Sequence, residues 1–443
     1  MLKTKKIKDS KIAIVFVSAS AGELDWNLPI LELLLRKGFY IKIIILKRNA
    51  YESIKQNKKV HNFISKKNKK IKIIFCGGYF IEKIDHLIYL AYRILIKLDL
   101  KKYLLNVSNF NLFNKMFEKI FSHNLPLSIL NNKKKKYLFL SEFPSLRKPR
   151  DLWIRSNFDK SIFIYHPHSP HLHSEGLDKK YLDPIDIDYK KRNFLLLGHP
   201  LDYLRFTKGN NGKELSKSDL EKVFIGHPRY SDKWLQYHKK KSKNFRLNLL
   251  NSKRKNISIL ILSRGPGSFI NKDYHISLVK QTTKIIHTLI PNCTVFIKKH
   301  PRETKSYWDD SINNYPSFQI TNEHMLDVAS KVHFTITFWT SGAIDCYLLG
   351  VPVIEYYDPN KFPLGQVLEN KIFTSIYRKL KIVSPANNEK ELIKILKDLI
   401  KRNYKLHSNK PHPFYNKLLV RSNKWEKKIE NILLSHNFIN KKY

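Results

Sequence analysis

TITFWTSGAIDCYLLGVPVIEYYDP, residues 335–359, carries two apolar runs and a helical pattern between them. The first run ends at Trp339 and predicts a strand. Thr340, Ser341 and Gly342 predict a tight turn into a helix, and LGVP (349–352) ends that helix and opens the next strand. Strand, helix and strand in that order predict a right-handed crossover in a parallel sheet. A helix start presents N–H groups without partners and a partial positive charge, which suits phosphate. Gly342 would let a ligand approach the backbone, and Asp345, one turn in, would reach a ribose hydroxyl. Structural roles fit the same residues: Thr340 or Ser341 can cap the helix, and Asp345 can favour its dipole.

The alternation extends in both directions. Strands are predicted at 222–228, 256–263, 293–301, 318–321, 333–339 and 351–357, with helices at 273–291 and 388–403. Upstream, strands are predicted at 11–18, 39–46, 70–76, 136–142 and 161–167, with helices at 27–38 and within 80–122. The polar stretch 207–219 (TKGNNGKELSKSD) predicts a linker. The expected architecture is α/β: two facing Rossmann-like domains with a cleft between them and a long C-terminal helix. Their expected limits are 1–210, 220–412 and 413–443.

The chain has 443 residues, above the size at which single cores stop growing, so two domains are expected. Apolar residues make up 42%, enough for two cores and against wholesale disorder. The 82 basic and 37 acidic residues leave a net charge of +45. Nucleic acid, anionic lipid and compositional drift each account for such a surplus. The lysines are spread along the chain, amid much Asn and Ile, and no nucleic-acid-binding motif accompanies them, so no nucleic-acid partner is expected. Cys76, Cys293 and Cys346 are far apart and form no CxxC pair, which predicts neither zinc nor disulfides and fits a reducing cytoplasm. The apolar start IAIVFVSASA (12–21) runs straight into a helical pattern and reads as a strand rather than a leader. No uncharged apolar stretch reaches the roughly 18 residues of a spanning helix. Segment 84–100 comes nearest and reads as a buried helix, or else one lying on a membrane surface.

Other strand ends carry polar clusters. VFIKKHPRET (295–304) gathers Lys298, Lys299, His300, Pro301 and Arg302 where ligands of parallel sheets bind. ILSRGPGSF (261–269) puts Arg264, Gly265 and Ser268 in a loop able to hold phosphate, or in an ordinary turn. SASAGELDWNLP (18–29) places Glu23 and Asp25 in a small-residue loop after the first strand; Glu23 serves there as a base or as a helix cap. FIYHPHSPHLHSEGL (163–177) holds His166, His168, His171 and His173 among prolines, which reads as a strand-end loop rather than a metal site. Glu142, Arg147 and Arg150 follow another strand. Asp186-Ile-Asp188 spells DxD but lies in a loop, so no metal site is assigned to it.

The turn 340–345 followed by Gly350-Val351-Pro352 resembles the donor-binding domain of GT-B glycosyltransferases and the related UDP-N-acetylglucosamine 2-epimerases. That resemblance implies donor phosphate contacts at Thr340, Ser341 and Gly342 and a ribose contact at Asp345, where the family more often has Glu. The Lys-x-His-Pro pattern, about 40 residues upstream of the Ser-Gly turn, is similar to that of enzymes using CMP- or CDP-activated donors. These are bacterial sialyltransferases, capsule Kdo transferases and polyglycerol-phosphate transferases; the similarity implies base or phosphate recognition by His300 and Pro301. Gly22-Glu23 is similar to the loop of lipid A Kdo transferases, which implies Glu23 as the base toward the acceptor hydroxyl. Asp25 and His168 are the reserves. Glu142, Arg147, His166 and His171 are the expected acceptor contacts, and Arg264, Gly265, Ser268 and Lys299 complete the expected donor site.

The expected function is transfer of a sugar or polyol phosphate from a nucleotide-activated sugar to a glycan or glycolipid acceptor, in surface-polysaccharide or lipopolysaccharide synthesis. No metal and no further cofactor are expected. The expected place is the cytoplasm, with peripheral contact at the anionic inner face of the plasma membrane. A sugar-nucleotide 2-epimerase is the alternative, although Ala21-Gly22-Glu23 departs from that family's Arg-Pro-Glu. A non-catalytic basic binder of glycans or nucleic acids is the second.

Overall fold

A computed structural model describes residues 11–18, 20–67, 69–76, 134–142, 154, 157–167, 187–198, 220–250, 257–266, 270–300, 303, 306–361, 368–369, 372–373, 375–404 and 424–440. The expected linker at 207–219 and the helical region 80–122 lie outside them. The chain divides into two compact units, each built on one parallel sheet: residues 1–168, 182–228 and 422–443 in the first, and 169–181 and 229–421 in the second.

The first sheet has seven strands: β1 (Ile12–Val17), β2 (Tyr40–Ile45), β3 (Ile71–Phe75), β4 (Tyr137–Ser141), β5 (Ile162–Tyr165), β6 (Asn193–Leu197) and β7 (Leu220–Phe224). Their order is β3-β2-β1-β4-β5-β6-β7, and every neighbouring pair is parallel. β1 and β2 read IAIVFV and YIKIII, the continuous β-branched runs expected where both faces are covered. Aromatic rings stack across three strands: Phe16 on Phe139 at 6.0 Å between centroids, and Phe139 on Phe163 at 4.9 Å. Three helices are described between the strands, α1 (Ala21–Arg36), α2 (Arg48–Gln56) and α3 (Lys58–Lys66).

The second sheet orders β10-β9-β8-β11-β12-β15, again all parallel. Its strands are β8 (Ile257–Leu262), β9 (Cys293–Lys298), β10 (Phe318–Ile320), β11 (Phe334–Thr337), β12 (Val353–Tyr356) and β15 (Ser384–Ala386); β13 (Leu368–Glu369) and β14 (Ile372–Phe373) form a separate hairpin. The described helices here are α4 (Asp232–Leu250), α5 (Lys272–Leu289), α6 (Asp309–Asn314), α7 (Met325–Ala329), α8 (Gly342–Leu348), α9 (Ile376–Lys379) and α10 (Glu389–Lys401). Leu278, Ile285 and Ile286 of α5 and Leu392 and Leu396 of α10 bury their apolar faces against Ile259, Ile261, Val295, Ile297 and Ile336.

Three expectations change. The strand expected at 222–228 to open the second domain is instead β7, the edge of the first sheet: it pairs with β6 from Asn193↔Leu220 to Leu197↔Phe224. β6, RNFLLLG in sequence, adds a strand beyond the five expected in this sheet and needs that neighbour for its outer N–H and C=O groups. The C-terminal helix α11 (Trp425–Ser435) belongs to the first unit rather than standing apart. Arg36 pairs with Glu426 at 2.9 Å and Lys37 with Glu430 at 2.7 Å, the Lys428 ammonium donates to the Phe224 carbonyl, and Phe438 packs against Phe39. Finally, α1 begins at Ala21, six residues before the expected start at 27, and carries Pro29 inside it.

Candidate functional site

Open parallel sheets bind ligands beyond the carboxyl ends of their strands, where the strand order reverses direction. In the first sheet that switch lies between β1 and β4; in the second, between β8 and β11. The candidate residues fall at both places.

At the end of β1, Ser20 caps α1. Its hydroxyl accepts the Gly22 N–H at 3.2 Å, and the Glu23 carboxylate returns to the Ser20 N–H at 3.3 Å, closing a capping box. Glu23 also accepts the Ser18 N–H at 3.0 Å, and it is only 2% exposed. The expected loop around Glu23 is therefore the first turn of a helix. The Ser20–Glu23 box sets the helix boundary earlier than residue 27. One turn on, the Asn27 amide donates to the Glu23 carbonyl at 2.7 Å, and its Oδ1 meets His166 Nδ1 at 2.9 Å. An amide oxygen only accepts, so Nδ1 carries the proton, and Nε2 is the acceptor of the neutral ring. His166 follows β5, and Glu142 is buried at the end of β4; the His166 N–H bonds to the Ser141 carbonyl at 2.9 Å. Trp26 meets the His227 ring edge-on at 5.9 Å, and Asp25 is buried on α1. Glu23, Asn27, Glu142 and His166 thus share one end of one sheet. Arg147, His168 and His171 lie outside the described residues.

In the second unit, the parallel register carries β8 and β11 side by side to Leu262↔Thr337, and β8 and β9 to Leu262↔Lys298. The segments that follow these three strands hold the expected donor residues. Arg264 Nη1 meets His300 Nε2 at 3.0 Å. A guanidinium only donates, so His300 is neutral, with its proton on Nδ1. Lys298 Nζ donates to the Glu323 carbonyl at 2.6 Å, and Lys299 is half-buried next to His300. Ser268 and Pro301 lie outside the described residues.

The turn after β11 forms as expected, with α8 starting at Gly342. Ser341 occupies the cap position yet makes no side-chain capping bond, and Thr340 Oγ1 meets the Gly342 N–H only at 3.5 Å. Trp339 holds a left-handed backbone, φ 64°, a conformation that costs a non-glycine residue on the order of 1 kcal/mol or more. Gly342 also has a packing task. A Cβ there would lie 2.9 Å from Leu262 Cδ1 and 3.3 Å from Met325 Cε, so the missing side chain seats α8 against β8 and α7. Asp345 is likewise engaged: Arg229 reaches it at 3.0 Å (Nη2 to Oδ2) and 3.5 Å (Nε to Oδ1), with both side chains under a tenth exposed. The expected ribose contact is here one half of a buried ion pair.

Several residues beneath these loops were not singled out in the sequence. Ser263 accepts the Trp308 indole N–H at 3.0 Å and meets His275 Nε2 at 3.4 Å. His275 is fully buried, and burial pushes its pKa down to about 4. Glu303 is buried against Gly265, whose backbone is left-handed at φ 70°; burial raises the carboxyl's pKa, with Ser263, His300 and Lys299 nearby acting the other way. Glu355, at the end of β12, accepts from Ser375 Oγ at 2.5 Å and Arg378 Nε at 3.0 Å. Burial raises the Tyr377 phenol; Glu355 and Asp345 add to the rise and Arg264 opposes it, so these groups cluster around one ring. The Asp188 carboxylate accepts the Lys190 N–H at 2.9 Å, a turn contact that matches its reading as a loop residue; Asp186 lies outside the described residues.

Two parallel Rossmann-like sheets, each with polar groups at its switch point, define a protein of the GT-B fold. No family's sequence model matches the chain, and no curated protein matches it in sequence. Among solved structures, it is similar to the UDP-GlcNAc 2-epimerase of Methanocaldococcus jannaschii in complex with UDP-GlcNAc and UDP, with 14% identity, coverage of 96% of this chain and 99% of that one, and a TM-score of 0.52. It is also similar to the wall teichoic acid polymerase TagF soaked with CDPG, with 12% identity, coverage of 98% and 91%, and a TM-score of 0.50. At such identities the likeness is one of fold.

Proposed function

We propose that this protein is a GT-B glycosyltransferase that moves a sugar or polyol phosphate from a CMP- or CDP-linked donor to a surface-polysaccharide or lipopolysaccharide acceptor. The observation that carries the reading is the Arg264–His300 pair on adjacent strand ends of the second sheet, beside the Trp339–Gly342 turn. A guanidinium oriented by a neutral imidazole is suited to a diphosphate, and Lys299 adds a second positive charge. Charge that develops on the departing nucleotide would be stabilised by these groups. Thr340 and Ser341 supply hydroxyls at the same strand ends, and Ser268 and Pro301 complete the proposed donor site. The polar group of Glu142 and His166 at the switch point of the first sheet supports an acceptor role there, with Arg147 and His171 as further contacts. The surplus of positive charge supports work at the anionic inner face of the plasma membrane.

The test is thermal stabilisation by CMP, CDP, UDP, GDP and ADP, in the wild type and in Arg264→Ala and Ser341→Trp. A nucleotide at about 100 times its Kd stabilises the fold that binds it by roughly 2.7 kcal/mol. The expected result is a shift with CMP or CDP that both variants lose. No shift with any nucleotide would overturn the proposal. A shift with UDP alone, together with conversion of UDP-GlcNAc without an acceptor, would make the protein an epimerase instead.

A further inference from the structure

Glu303 stands out among the buried groups of the second unit. It is 9% exposed, and the described groups nearest its carboxylate, the Ser263 hydroxyl and the His300 N–H, close no hydrogen bond of good geometry with either oxygen. Leaving one buried acceptor unsatisfied costs about 1–3 kcal/mol, more when it is charged. A purely structural residue at this position would be better served by an apolar side chain. The chain instead makes room for it. A Cβ on Gly265 would lie 3.0 Å from Glu303 Cγ and 3.3 Å from Cδ, so the carboxyl rests directly on the loop that leaves β8. Arg264, paired with His300, belongs to that loop, and Lys299 and His300 lie just upstream of Glu303.

A carboxylate repels phosphate and accepts from N–H and O–H groups. Beside cations suited to phosphate, its natural partners are the neutral donors of the nucleoside attached to that phosphate. We propose that Glu303 is a specificity-determining residue, accepting hydrogen bonds from the nucleoside of the donor nucleotide. This inference rests on the nucleotide-binding reading above. Two nucleoside groups share the required chemistry: the exocyclic amine of cytosine, which carboxylates accept in base recognition, and the ribose diol.

The experiment is calorimetric titration of CMP, UMP and 2′-deoxy-CMP into the wild type and Glu303→Gln, with inorganic pyrophosphate as a probe of the cationic groups alone. The expected result is that the wild type prefers CMP over UMP or over 2′-deoxy-CMP by about ten- to hundredfold, the worth of one charge-assisted hydrogen bond. Glu303→Gln should lose most of that preference and keep its pyrophosphate affinity. Loss of the CMP/UMP preference assigns the contact to the base amine; loss of the ribose/deoxyribose preference assigns it to the sugar. If Glu303→Gln does not fold, Glu303→Met, of similar volume and with no carboxylate, takes its place. Preferences unchanged in the variant would overturn the inference while the nucleotide reading stands. No nucleotide binding to the wild type would overturn both.

Discussion

The segment that follows β1 and the segment that follows β11 occupy equivalent places, each at the switch point of its own sheet, and they are held in opposite ways. After β1, the turn itself closes on local bonds, with the Ala21 N–H donating to Ser53 Oγ at 3.1 Å from further along the chain. Ser18, Ser20, Gly22 and Glu23 bond to one another within five residues, and the acidic side chain is consumed in starting α1. After β11, the local bonds are main-chain ones, from Ala343 N–H to the Thr340 carbonyl and Ile344 N–H to the Ser341 carbonyl, and the described local side-chain bond is the long 3.5 Å contact of Thr340 Oγ1 with the Gly342 N–H. Ser341 does not cap, Trp339 is strained, and Asp345 is satisfied by Arg229, 116 residues away in sequence. A turn supported from elsewhere leaves a hydroxyl such as that of Ser341 clear of capping. A turn stabilised by its own acidic residue does not. The contrast makes the second turn the first place to test for ligand chemistry.

The hardest test of this contrast removes the remote support. Asp345→Leu or Arg229→Met leaves one buried charge without its partner, and the second unit should lose roughly 3–5 kcal/mol. The double variant should recover most of that loss, because two apolar side chains replace a desolvated pair. Chemical denaturation of the four proteins measures the coupling. Additive losses, with no recovery, would mean that the turn does not depend on the pair.

A smaller effect is expected from the network beneath the β8 loop. His275 titrates near its ordinary value of 6.5 when unfolded, and burial lowers it to about 4 in the folded chain. Between those values the unfolded state binds more protons. Stability from this group is therefore complete above about pH 6.5 and falls as pH drops toward 4. The loss is on the order of 2–3 kcal/mol across that window. Denaturation of the wild type and His275→Phe at pH 7, 6, 5 and 4 isolates it, since other groups contribute equally to both. Parallel curves would show that His275 does not titrate differently in the two states.

The same division between local and remote bonds explains what the sequence discloses. The two parallel sheets are legible because alternation and β-branched runs are local patterns, as in ISILIL and IAIVFV. The strand ends at Arg264, His300 and Ser341 follow from those runs. The capping box was also open to reading, since Ser20-Ala-Gly-Glu23 matches the Ser-x-x-Glu signature. Arg229–Asp345 was not legible, because a pairing between distant loops leaves no periodic trace. Glu303 sat inside the quoted motif, yet a single sequence does not show that it is buried against Gly265. β7 reads as a strand in the sequence, but its sheet is decided only by its pairing with β6.

The smallest effect separates the two roles of Glu23 most cleanly. As a cap, it shares its work with Ser20, and capping tolerates an amide in place of the acid. Glu23→Gln should then cost a few tenths of a kcal/mol, and Ser20→Ala about 1 kcal/mol. As the base toward an acceptor hydroxyl, Glu23 has no substitute in the amide, and turnover would fall by about 10²–10⁴-fold. The carboxylate is 2% exposed and accepts two main-chain N–H groups, which favours the first outcome: turnover within a few-fold of wild type. His166→Gln, measured alongside, completes the comparison. If Glu23→Gln abolishes turnover while its stability is retained, the first turn is catalytic despite its local bonds, and the contrast between the two turns no longer identifies where the chemistry lies.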